Sequence, residues 1–148
     1  MERSEKDVYV SDASTAVKWF VSEPDSDKSR MLKEAYAKGT IDLVAPRLLE
    51  YETLNALRFH PIVKLTSEQI VSALTMLRQL EIMIEPSMTA WQRAVGMALS
   101  LEISIYDAVY LGLAEAFGAR LVTSDRRLSE KLSGTNRRHL VLLKDLRL

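Results

Sequence analysis

The sequence contains no cysteine, and that one absence removes disulfides, zinc–thiolate sites and cysteine nucleophiles together, in keeping with a reducing interior. Histidine is almost as scarce, with His60 and His139 standing far apart as its two occurrences. A histidine-based metal site or a Ser–His–Asp triad has little to draw on, and both residues are expected at the surface or at helix ends. Excess charge of one sign is also missing. Lys plus Arg and Asp plus Glu number 20 each, so no overall positive field marks a nucleic-acid binder, and only a local basic patch stays open. The opening "MERSEKD" is charged without an apolar h-region, and no run approaches the roughly 18 apolar residues of a membrane span. A soluble, cytoplasmic chain with no membrane contact is the expectation.

What is present is enough apolar material for a core. With 148 residues and 47% hydrophobic content, residues 1–148 read as one compact domain. Short β-rich runs alternate with longer segments of helical period, the pattern of a parallel sheet flanked by helices. Strands are expected at 8–12, 41–45, 81–85, 119–124 and 139–143, and helices near 14–22, 26–38, 47–59, 67–80, 87–101, 105–117 and 126–132. Gly39 and Gly118 stand where helix C-terminal caps belong, and Pro46 and Pro86 follow strands just ahead of helices.

Several acids break this pattern. In "YVSDASTAVKWF" Asp12 ends the first strand, and Asp125 follows "RLVTS" in the same relation to the fourth. Ligands of open α/β sheets bind outside the carboxyl ends of the strands, so these two acids can share one rim. Glu52 falls on a helical stripe with Leu48, Leu49, Asn55, Ala56 and Phe59, and Asp107 on one with Ile103, Tyr110, Leu111 and Ala114. Carboxylates are rarely buried unless paired or bound to a cation. Plainer readings exist: Asp12, Asp107 and Asp125 each suit a helix N-cap, and Glu50 is a rival to Glu52. If all four acids meet, their repulsion opposes folding unless a divalent cation neutralises it, and an all-oxygen set favours Mg²⁺ or Mn²⁺ over zinc.

Taken together, "VSDASTAVKWF", "APRLLEYETLNALR" and "ISIYDAVYLGLAEAFGARLVTSD" resemble the PIN-domain nucleases, particularly the VapC-type toxins of toxin–antitoxin pairs, over about residues 8–132. The resemblance implies a PIN-like α/β/α sandwich with a central parallel sheet of about five strands. It also implies a metal-dependent endoribonuclease in which Asp12, Glu52, Asp107 and Asp125 hold Mg²⁺ or Mn²⁺, supported by Ser14, Asn55 and Thr123. RNA as substrate, an antitoxin protein as inhibitor and a homodimer follow from the same resemblance, and the apolar helices at 47–59 and 67–80 offer surface for association. One departure is Arg47, where many relatives carry an acid. Lys18, Arg47, Arg58, Arg126, Arg127, Arg137 and Arg138 are candidates for the RNA backbone, whereas Trp19, Trp91 and the methionines are expected to pack in the core. Rival functions are a PIN-domain RNA-processing nuclease outside a toxin–antitoxin pair, a PIN-like binding module without catalysis, and a phospho-acceptor signalling domain. The last would want adjacent acids after the first strand, and Asp12 has no acidic neighbour.

Overall fold

The computed structural model describes residues 5–148. Its strands are β1 (Val8–Ser11), β2 (Asp42–Pro46), β3 (Met83–Ile84), β4 (Arg120–Thr123) and β5 (Leu140–Leu142). Its helices are α1 (Ala13–Ala16), α2 (Ser26–Ala37), α3 (Leu48–Arg58), α4 (Ser67–Gln79), α5 (Met88–Leu101), α6 (Ile105–Ala116) and α7 (Arg126–Lys131). The strands form one sheet in the order β3-β2-β1-β4-β5, and every neighbouring pair is parallel. Crossovers that run first one way from β1 and then the other place helices on both faces. The order reverses between β1 and β4, which opens a crevice beyond their carboxyl ends.

Local chemistry explains the elements. Three of the four residues of each central strand, β1 and β4, are buried, in keeping with a sheet covered on both faces. Thr66 and Gln69 form a reciprocal capping box that starts α4. Gly39 and Gly118 adopt positive φ of 77° and 60° just past α2 and α6, the conformation a helix end favours in glycine. Gly112 has a different duty: a Cβ there would lie 2.6 Å from the Ala90 carbonyl oxygen and 2.8 Å from the Ala94 Cβ, so its hydrogen lets α6 press against α5.

The differences from expectation have physical causes. The expected strand 81–85 shrinks to Met83–Ile84, because Glu81 turns to a φ of 55° and leaves the extended region. The helix expected at 14–22 is one α-turn followed by a 3-10 turn, Val17–Trp19. A 3-10 turn over Gly134–His139 leads into β5, and another, Leu143–Asp145, follows it; neither shows a periodic apolar pattern in sequence. On α3 the buried line is Leu49, Glu50, Thr53 and Leu57, so the expected stripe is displaced: Phe59 is 66% exposed and Asn55 is also exposed. Trp19 is core, its Nε1 donating to the Ser29 carbonyl at 2.9 Å, and Trp91 packs against the core. Met97 is buried, but Met31, Met76 and Met88 are exposed, contrary to expectation, and Met1 lies outside the described residues. Among the described residues no helix is long and apolar enough to cross a membrane.

Candidate functional site

Asp12, Ser14, Thr123 and Asp125 meet because the β1–β4 register pairs Ser11 with Val122, which leaves the next residues of both strands side by side at the crevice. Asp12 caps α1, its Oδ1 accepting from the Thr15 backbone N–H at 3.1 Å and from the Ser14 hydroxyl at 2.7 Å. Its Oδ2 accepts from the Thr123 hydroxyl. That hydroxyl oxygen in turn accepts from the Asp125 backbone N–H at 3.1 Å, while Ser14 Oγ accepts from the Ser124 N–H at 2.9 Å. Capping and site-building are thus one arrangement for Asp12. Asp125 likewise caps α7 through Oδ1 and the Leu128 N–H, 3.1 Å apart.

The other two acids arrive on helices. Asp107 sits in the first turn of α6, behind the Ser104 cap, where the helix dipole favours negative charge. Glu52 stands at the edge of the buried line of α3, and the phenol of Tyr110, from the second turn of α6, donates to its Oε1 at 2.6 Å. All four acids are partly buried, and they influence one another in series. Burial pushes the Asp12 carboxyl up to about 6, against the hydrogen bonds it accepts, with Glu52 adding to the rise. Burial also raises Glu52, with Asp107 repelling it and the Tyr110 bond opposing the shift. Asp107 is raised by burial and then by Asp125, with Lys131 acting the other way.

None of the four forms an ion pair with a Lys, Arg or His side chain among the described residues. An all-carboxylate donor set with no direct ion pair has the chemistry a hard divalent cation requires. The acids are neighbours rather than a closed cage, for among the described residues no three His, Asp or Glu side chains stand close enough to enclose an ion.

The supporting residues divide. Ser14 and Thr123 hold Asp12 as described, whereas Asn55 is exposed and takes no part in that network. Tyr110, which sequence reasoning placed only on an apolar stripe, is the residue it missed; the signal was a phenol on the same helical stripe as Asp107, one turn along.

The basic candidates divide as well. Arg126 and Arg127 are exposed directly after Asp125, beside the acids. Lys18 is not available to RNA, because it is buried and its Nζ bonds Glu23 at 2.9 Å. Arg47 pairs with Glu85 at 3.0 Å, and the Arg58 guanidinium lies over the Phe59 ring. Arg137 and Arg138 precede β5 and so sit at the amino end of a parallel sheet, opposite the acids. His139 stands at that end too, its Nδ1 donating to the Ala119 carbonyl at 3.1 Å. His60 follows α3 but is buried rather than superficial. Its Nδ1 accepts from the Ile62 and Val63 N–H groups at 3.2 and 3.0 Å, which leaves Nε2 to donate to Glu23 at 2.7 Å.

A family model described as PIN domain matches residues 9–131. Ribonuclease VapC3 of Pyrobaculum aerophilum is 33% identical over 128 residues, which cover 82% of this chain and 92% of that protein. The chain belongs to the PIN domain family. Among solved structures, PAE2754 from Pyrobaculum aerophilum superposes with a TM-score of 0.64 at 22% identity, covering 93% of this chain and 85% of its own. VapBC2 from Rickettsia felis, bound to a DNA fragment from its promoter, gives 0.63 at 20% identity, with 91% and 96% covered. A toxin–antitoxin complex from Klebsiella pneumoniae gives 0.62 at 14% identity, with 91% and 97% covered. These three likenesses establish the shared α/β/α fold. VapC nucleases with this domain generally depend on a divalent metal.

Proposed function

We propose that this chain is a divalent-metal-dependent endoribonuclease, the VapC-type toxin of a toxin–antitoxin pair, using Mg²⁺ or Mn²⁺ held by Asp12, Glu52, Asp107 and Asp125. The observation that carries the reading is the series of four electrostatically coupled acids on one sheet rim, none of them in an ion pair with a basic side chain among the described residues. The likeness to Ribonuclease VapC3 supports RNA as the substrate. When bound, the ion supplies an activated water and compensation for charge developing on the phosphate. The protein's own part is to hold the acids: Ser14 and Thr123 orient both oxygens of Asp12, and the Ser104 cap fixes the turn that presents Asp107. Arg126 and Arg127, exposed directly after Asp125, offer cations for the RNA backbone. Asn55, one turn beyond Glu52, keeps a supporting role on its motif.

An antitoxin protein is the proposed partner, as the toxin–antitoxin neighbours support. A homodimer is proposed from the exposed apolar side chains of the α3–α4 region, where Tyr51, Phe59 and Val71 are 73%, 66% and 59% exposed.

End-group analysis tests the chemistry. Hydrolysis that expels the 3′ oxygen leaves a 5′-phosphate on one fragment and a 3′-hydroxyl on the other, and it proceeds when the scissile 2′-hydroxyl is replaced by hydrogen. Excess EDTA is expected to stop it. Cyclic phosphate ends, or undiminished cleavage in EDTA, would overturn the assignment.

A further inference from the structure

Tyr110 is the one side chain of the crevice whose role the function above does not use. Tyr110 is 2% exposed, and its hydroxyl donates to Glu52 Oε1 at 2.6 Å. Asp12, Glu52 and Asp107 all act on the phenol electrostatically, so it stands amid three of the four acids. A neutral donor in that place satisfies part of a carboxylate without supplying the positive charge that would displace a metal. Glu52 needs such help more than its partners do. Asp12 and Asp125 are braced by backbone N–H groups at helix starts, and Asp107 has the α6 amino terminus. Glu52 lies within α3, on a longer side chain with one more rotatable bond, and none of its carboxylate bonds is to backbone.

We infer that Tyr110 is a positioning residue that anchors Oε1 of Glu52, leaving Oε2 presented to the crevice in the orientation that a divalent cation needs. The inference rests on the metal-dependent reading above and goes beyond it, because an acid ligand requires no buried phenol in order to bind. Outer hydrogen-bond partners of metal ligands change metal affinity by about 10- to 100-fold when removed.

Tyr110→Phe takes away one oxygen and keeps the ring in the core. Calorimetric titration of the full chain with Mn²⁺ at pH 7 is expected to show at least a tenfold weaker dissociation constant for Y110F than for the wild type. Circular dichroism and metal-free melting are expected to match the wild type. In a Glu52→Gln background, where the charge to be positioned is gone, adding Y110F is expected to change Mn²⁺ affinity less than twofold. Equal Mn²⁺ affinity in Y110F and wild type, beside a D107N variant that binds none, would overturn the positioning role while leaving the metal site standing. Wild type that fails to bind Mn²⁺ at all would overturn the metal-dependent reading, and this inference with it. A Y110F chain that does not fold, or that loses thermal stability without losing Mn²⁺ affinity, would assign the hydroxyl to the fold and overturn the inference.

Discussion

Two regions of this molecule bury carboxylates, and they handle the charge in opposite ways. Where α3 and α4 pack, Glu50 is 7% exposed and meets Arg78 Nε at 2.7 Å. Just ahead of α2, Glu23 bridges the buried Lys18 and His60 at 2.9 and 2.7 Å. At the sheet rim, Asp12 and Glu52 receive hydroxyls and a backbone N–H instead. The first region completes its electrostatics within the chain, because a buried charge without a partner is costly. The second leaves it incomplete, and such incompleteness is affordable mainly where an outside ion or ligand supplies the missing charge. Titration follows suit. Burial alone would raise Glu23, but the hydrogen bonds from Lys18 and His60 and the charge of Lys18 outweigh it and hold the carboxyl below its usual range. Asp12, Glu52 and Asp107 all move up.

The contrast can be broken most severely at Asp107. Asp107→Asn removes one like charge at nearly constant volume, so cleavage of RNA is expected to fall by about a thousandfold, a scale seen when preorganised charge is removed from an active site. Metal-free melting is expected to stay level or rise. A variant that cleaves as well as wild type would end the distinction between the two regions.

The next largest effect belongs to the neutralised region. Lys18→Met fills the same space without charge and leaves Glu23 facing only His60, at an expected cost of about 2–3 kcal/mol in urea unfolding. RNA cleavage per folded molecule is expected to be unchanged. Stability equal to wild type would mean that the buried pair contributes nothing net.

The smallest effect sharpens the comparison through pH. Asp12 has a folded-state value of about 6 against an ordinary 3.8. Its contribution to stability is therefore fully present below the unfolded value and lost as pH rises through the folded one. Glu23, held low, has the opposite sign: its contribution is present above the unfolded value and lost as pH falls. In metal-free protein, Asp12→Asn is expected to stabilise by about 1–2 kcal/mol at pH 7 and to do little at pH 4. Denaturant melts at the two pH values measure the difference, and a benefit equal at both would show that Asp12 does not carry the strain.

Much of the site was legible before any coordinates, for identifiable reasons. Asp12 and Asp125 could be placed because both follow short apolar strands, and the ends of neighbouring parallel strands share an edge. Asp107 could be singled out because it interrupts an apolar stripe with Ile103, Tyr110, Leu111 and Ala114. Glu52 was harder: the apolar stripe drawn through it included Phe59, which is exposed, and passed over Glu50, which is buried. Periodicity ranks residues by hydrophobicity, and so it misreads a helix whose buried line includes a neutralised acid. Lys18 was misjudged because nothing local to it announces that Glu23 folds back over it.

The sequence by itself determined the alternation of strands and helices, the parallel sheet and the acids at its carboxyl edge, because each depends on period, cap or strand end within a few residues. Only the tertiary structure decided which charges are cancelled and which are left bare. That choice depends on pairs far apart in the chain: Glu50 with Arg78, Glu23 with His60, Tyr110 with Glu52 and Thr123 with Asp12. A carboxylate's energy is set by what surrounds it within a few ångströms, and in this fold those surroundings come from other elements of the chain.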